Sequence, residues 1–180
     1  MSEKLDLIHP RTRIFNEYWQ SLPKRNFLPD RDQIDLTQLK DILPSFVILQ
    51  YESPVMVRFR LAGTEEVQRY GFEVTGRNYL DFVPDHRKQE AVSTFKTMLK
   101  QPCGSLHLIE TVTSLGRVIC NEAIGYPMRG SDGKADQLLF QSNDLDGKLS
   151  PYQRTDVVAE HRRILQRRFI DIGAGLSTQG

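Results

Sequence analysis

The sequence predicts an α+β domain: a five-stranded antiparallel sheet with helices on one face, plus N- and C-terminal helices. Three observations carry this. Two short β-branched and aromatic runs lie side by side at Phe46–Tyr51 and Val55–Leu61. Three further extended segments follow after residue 104. Between the two groups the apolar period changes from two to 3.6, the mark of helices inserted within a sheet protein.

In order along the chain, His9-Pro10 opens the first helix, where proline costs nothing because its missing N–H would have had no intrahelical partner. Ile14, Phe15, Tyr18, Trp19 and Leu22 form its apolar stripe, and Pro23 ends it. That stripe packs on the chain's own sheet or on a second copy; a homodimer through Phe15 and Trp19 is one expectation. Residues 24–34 read as a loop. Asp35 and Gln38 have capping-box spacing ahead of Leu36, Leu39, Ile42 and Leu43, and Pro44 stops the turn. Ser45 to Glu52 forms the first strand, and Val55, Val57, Phe59 and Leu61 alternate along the second, with Ser53-Pro54 as the turn. Thr64 caps a short helix that Gly71 terminates, and Asp85 caps a helix of about four turns with Ala91, Val92, Phe95, Met98 and Leu99 on one side. Ser105–Ser114 and Arg117–Met128 pair across Leu115-Gly116; a loop containing Asp132-Gly133 leads to the strand around Leu138–Ser142. From Asp156, the residues Val157, Val158, His161, Ile164, Leu165, Phe169 and Ile172 recur at helical spacing, predicting a C-terminal helix with an arginine-rich opposite face. The organisation is thus 1–44 as a helical extension, 45–145 as the core, and 146–180 as linker and helix.

The bulk numbers exclude several classes. With 180 residues, 39% apolar and 26% charged, the chain is long enough for a real core. A net charge of +1 offers no global attraction to nucleic acid or to an anionic membrane, so neither is an expected partner. The two cysteines form no Cys-x-x-Cys pair, and no metal site is suggested. The N-terminus is too polar for a secretory signal, and no apolar run approaches the ~20 residues of a membrane span; a cytoplasmic protein is expected.

Tyr70-Gly71, then Thr75-Gly76-Arg77-Asn78-Tyr79, then Phe82-Val83-Pro84-Asp85, and finally the Asp132-Gly133 hairpin, resemble a PAS domain in order and spacing. The Leu-rich segment running into the first strand looks like a bacterial subfamily of short, single-domain PAS proteins. The resemblance implies signal sensing rather than catalysis, with a signalling protein as partner, since no effector sequence follows. It also implies a pocket between the long helix and the sheet for a small apolar or amphipathic ligand, walled by Tyr70, Tyr79, Phe82, Phe95, Leu99 and Ile124. Flavin photochemistry of the related light-sensing domains needs a cysteine motif that Gly76-Arg77-Asn78-Tyr79 lacks. Haem needs an axial ligand, and His86, at the start of the long helix, is expected to be exposed. Both cofactors are therefore disfavoured, and the ligand's identity is open. Two rival readings stand beside this one. The first is a homodimeric scaffold with a filled core. The second is a small cone-shaped isomerase- or hydratase-like enzyme using Glu110 and Glu122, which the Leu115-Gly116 turn places on one sheet face.

Overall fold

A computed structural model describes residues 5–146 and 157–176. Six strands form one antiparallel sheet: β1 (Phe46–Ser53), β2 (Met56–Ala62), β3 (Cys103–Thr113), β4 (Val118–Met128), β5 (Gln137–Asp144) and β6 (Ala159–Asp171). Their order is β2-β1-β5-β4-β3-β6. Among the described residues three α-helices accompany them: α1 (Pro10–Ser21), α2 (Thr64–Tyr70) and α3 (Asp85–Lys100). Short 3-10 turns occur in two of the described connections: Arg31–Gln33, Leu36–Leu39 and Leu43–Ser45 between α1 and β1, and Tyr79–Phe82 between α2 and α3.

Strand alternation divides the core in two. Phe46 and Ile48 of β1, Ile124, Tyr126 and Met128 of β4, and Leu139 of β5 point to the face covered by α1. Val47 and Leu49, Val57 and Phe59, and Leu138 point to the other, under α3 and the Tyr79–Phe82 turn. β4 lies in the middle of both layers and is buried from Ile119 to Met128 except at Cys120.

α1 begins as its sequence dictates. His9 is the N-cap, its Nδ1 accepts from the Arg11 N–H at 3.1 Å, and Pro10 takes the first helical position. The buried Glu122 carboxylate also accepts the backbone N–H groups of Ile8 and His9, at 2.7 and 2.9 Å. The N–H of His9, at the N-cap, is a donor that a helix start leaves without an intrahelical partner, and that of Ile8 is the one before it. Phe15 and Trp19 are wholly buried. Trp19 stacks on Tyr126 with ring centroids 4.3 Å apart, and Phe15 meets Phe46 edge-on at 5.0 Å. The expectation of a dimer through Phe15 and Trp19 is therefore corrected: both rings are spent on the chain's own sheet, and Ile14 is the apolar side chain that α1 leaves exposed.

α2 ends at Gly71, whose φ of +80° suits glycine, as its position predicts. At α3 the expected cap is displaced by one residue. Pro84 is the N-cap, and Asp85 lies inside the first turn, bridged to Lys88 at 2.7 Å.

The C-terminal segment differs most from the prediction. Ala159–Asp171 is not a helix but β6, which pairs with the outer edge of β3 from Thr113↔Ala159 to Cys103↔Asp171. Residues 147–156, which carry the predicted linker, lie outside the described residues. The misreading has a physical origin. Register shifts interrupt the pairing between Val112 and Thr113 and between Leu108 and Ile109. Each β-bulge adds a residue without a partner, so the inward positions (Arg162, Ile164, Arg167) lose strict period two and imitate a helical period.

Candidate ligand cavity

A cavity of about 160 Å³ lies on the α3 side of the sheet. Val47, Leu49, His107, Ile109, Thr111, Asn121 and Ala123 form its floor. Its roof is Tyr70 at the end of α2, Tyr79 and Phe82 on the 3-10 turn, and Ala91, Thr94 and Phe95 on α3. Phe140 of β5 closes one side, and Arg162, Ile164 and Arg167 of β6 close another.

The aromatic wall is a connected set of tilted and edge-on rings. Tyr70–Phe82 centroids are 5.0 Å apart, Tyr79–Phe95 5.6 Å, Phe59–Tyr70 5.8 Å and Phe95–Phe140 6.0 Å. Burial pushes the Tyr70 phenol up to about 12, against the weaker opposing pull of Arg162, and raises that of Tyr79, so both stay protonated at neutral pH. Arg162 Nη1 donates to the Tyr70 hydroxyl at 3.2 Å, and its guanidinium lies 5.1 Å from that ring's centroid.

At one end of the floor is a buried ionic network. Arg69 donates to Asp144 at 2.7 Å and to Glu66; Asn121 donates to Asp144 and accepts from Thr111 at 2.6 Å. Arg162 lies 3.9 Å from the second oxygen of Glu66. At the mouth, Glu90 pairs with Arg167 and lies 3.4 Å from Arg87, which also donates to the carbonyl of Arg162. His107 is buried on the floor, its Nε2 2.9 Å from Ser105 Oγ. Its pKa falls to about 4, first through burial and then through Arg167 and Arg87, so the ring is neutral above that pH.

Of the six residues predicted to wall a pocket, Tyr70, Tyr79, Phe82 and Phe95 line this cavity. Leu99 packs in the same core layer without reaching the lining. Ile124 is a correction: its place in the alternation of β4 turns it to the α1 face, into the layer with Tyr126. Glu110 and Glu122 share that α1 face, as their spacing predicts, but it is the face away from the cavity. Glu122 is buried beneath the start of α1, and Glu110 pairs with Arg163 at 3.0 Å. They therefore do not enter one cavity together, which the hydratase-like reading requires. His86 is exposed. No group of three or more metal-ligating side chains occurs among the described residues. Neither cysteine lines the cavity; burial raises the Cys103 thiol to about 11.

Sequence reasoning missed Arg87, Arg162, Arg167 and His107. The α1-facing positions of β3 and β4 are the more apolar, so they draw attention first. The cavity-facing set (His107, Thr111, Asn121) reads as polar exterior until α3 is seen to cover it.

The profile of the PAS domain matches residues 7–140, from before α1 into β5. The chain belongs to the PAS domain family. Among solved structures it is similar to VqmA bound to DPO, at 18% identity and a TM-score of 0.47, over 63% of this chain and 60% of that one. It is also similar to a light-oxygen-voltage domain studied with a flavin analogue, at 16% and 0.46, covering 62% of this chain and 84% of that one. A PAS domain of a Colwellia psychrerythraea protein matches at 12% and 0.43, covering 63% and 98%. The match thus spans less than two thirds of the VqmA chain, and at these identities the assignment rests on the family profile. No curated protein matches the sequence significantly. PAS domains are generally sensory modules, and PAS proteins often dimerise or bind partners. No described helix of this PAS protein is long and apolar enough to cross a membrane.

Proposed function

We propose that this PAS protein is a non-catalytic, cytoplasmic sensory module that binds a small amphipathic molecule between α3 and the sheet and passes its occupancy to a signalling protein. The observation that carries this reading is the cavity's mixed lining: six aromatic rings (Phe59, Tyr70, Tyr79, Phe82, Phe95, Phe140) with arginines at one end. A mostly apolar lining with a few convergent polar groups is the usual composition of a small-molecule site. β6 supports the second half of the reading. It contributes Arg162, Ile164 and Arg167 to the cavity while forming the outer edge of the sheet, where a partner strand can add.

Native mass spectrometry of freshly purified protein, beside its denatured mass, tests the reading. The expected result is a non-covalent adduct that Ala123→Leu abolishes, because Ala123 lies on the cavity floor and a larger side chain there consumes the space. An adduct unaffected by Ala123→Leu would place the ligand elsewhere. Protein without any adduct, and with unchanged stability in Ala123→Leu, would point to a scaffold.

A further inference from the structure

His107 stands on the cavity floor, 8% exposed, and is held through only one of its two ring nitrogens. Nε2 lies 2.9 Å from Ser105 Oγ. The Ser105 hydroxyl has a single proton and gives it to Met98 Sδ at 3.3 Å, so toward the imidazole it is the acceptor. Counting hydrogen bonds thus assigns the tautomer: the ring proton is on Nε2, and Nδ1 carries a lone pair. The opposite tautomer would take the Ser105 proton from Met98 and leave an unpaired N–H in a buried place, one hydrogen bond fewer. Nδ1 points away from Ser105 and has no hydrogen-bond partner among the described residues. A buried acceptor in that condition is uncommon in natural structures and calls for an explanation. The two threonines of the lining are already committed to the protein: Thr94 donates to the carbonyl of Glu90 at 2.9 Å, and Thr111 to Asn121 at 2.6 Å. Burial, reinforced by Arg167 and Arg87, keeps the imidazole neutral above about pH 4, so the lone pair is available at neutral pH.

The space beside this acceptor suits one aromatic ring. The cavity holds about 160 Å³. An apolar cavity of ~150 Å³ in a protein core accepts a benzene molecule. Phe140 meets His107 edge-on at 6.3 Å between centroids, and Phe95 meets Phe140 edge-on at 6.0 Å. We propose, building on the ligand-binding reading above, that the ligand is a neutral single-ring phenol whose hydroxyl donates to His107 Nδ1 while its ring packs against Phe95 and Phe140. A phenol meets both demands at once. Its ring fills the apolar space, and its O–H, whose ordinary pKa is about 10, is still protonated at neutral pH. A plain hydrocarbon ring would leave Nδ1 unpaired, and a hydroxyl buried without an acceptor would be penalised. His107 is thereby the residue that sets specificity, and Ser105 the residue that positions it.

Isothermal titration calorimetry with p-cresol and p-xylene, which differ only by a hydroxyl in place of a methyl, tests this. The unaltered protein is expected to bind p-cresol at least about tenfold more tightly. His107→Leu is expected to reverse the order, because the hydroxyl then lacks its acceptor and the hydrocarbon leaves water more readily. Ser105→Ala keeps the imidazole but removes the partner that fixes its tautomer, and is expected to narrow the preference; it serves as the second variant if His107→Leu lowers the melting temperature. Equal or tighter binding of p-xylene by the unaltered protein would overturn the role of His107 and leave the cavity reading intact. A preference for p-cresol that survives both substitutions would overturn it as well. Binding of neither compound, beside a native-mass adduct that Ala123→Leu abolishes, would overturn the phenol alone; binding of neither, with no adduct, would overturn both readings.

Discussion

Gly125 links the packing of the sheet to the space beneath α3. It lies on β4 opposite Phe140 of β5, and the Phe140 ring rests on the glycine. A Cβ added at Gly125 would lie 2.1 and 2.2 Å from two carbons of that ring. Carbon atoms in contact ordinarily keep ~3.5–4.0 Å, so Gly125→Ala requires the ring to move by more than about 1 Å. Phe140 is bounded by Phe95 and His107, at 6.0 and 6.3 Å between centroids, and the free volume beside it is the cavity. The displaced ring therefore enters the cavity. Overpacking of this kind costs about 1–3 kcal/mol, which for a chain of this size lowers the melting temperature by about 3–10 °C. Thermal unfolding followed by circular dichroism, with calorimetric titration of p-cresol, measures both effects. Gly125→Ala is expected to lose binding as well as stability, and Gly125→Ala/Phe140→Leu to regain both, since the smaller side chain makes room for the methyl. A Gly125→Ala protein with unchanged melting and unchanged binding would refute the reasoning.

Three further outcomes follow from other parts of the fold. Trp19→Ala is expected to destabilise the chain by about 3–5 kcal/mol in urea unfolding without changing its solution mass, because the indole fills an intramolecular core; a lower mass at unchanged stability would contradict this. Glu122→Ala, which strips two backbone N–H groups of their charged acceptor, is expected to cost about 2–3 kcal/mol in urea unfolding, with Glu122→Gln milder; unchanged stability would refute the clamp. Acid titration should expose His107. Its folded pKa of about 4 lies below the ordinary 6.5, so between those values the unfolded chain takes up a proton that the folded chain refuses. Stability is therefore present above pH 6.5 and falls as pH drops through that window, by at most about 3 kcal/mol, and His107→Leu is expected to flatten that part of the profile measured by urea unfolding.

Local signals made much of the architecture legible. The His9-Pro10 start of α1 and Gly71 after α2 each depend on a few neighbouring residues, and the structure follows them; the alternation expected along Val55, Val57, Phe59 and Leu61 holds only at Val57 and Phe59, because Val55 is exposed in the turn and a register shift opposite Ile48 and Leu49 turns Leu61 to the α1 face. Four of the predicted wall residues also reach the cavity: Tyr79 and Phe82 from the short turn, Tyr70 from the end of α2 and Phe95 from the sheet-facing side of α3. What escaped depends on distant partners. Residues 159–171 have helical spacing and good helix formers, but their conformation is decided by the free edge of β3, which no local pattern reveals. The arginines of that strand consequently read as the wet face of a helix when they are cavity wall. The error at Ile124 has a similar cause. Residues on β4 alternate between two buried faces, so an apolar side chain there does not declare which layer it joins.

The central claim is that a ligand is held between α3 and the sheet, and a ¹H–¹⁵N correlation spectrum recorded during titration with p-cresol tests it most directly. The account predicts shifts concentrated at Arg162–Arg167 of β6, at Arg87–Phe95 of α3 and around His107–Thr111 of β3, with α1 and its contacts on Tyr126 silent. Shifts centred on α1, or absent from both β6 and α3, would contradict it.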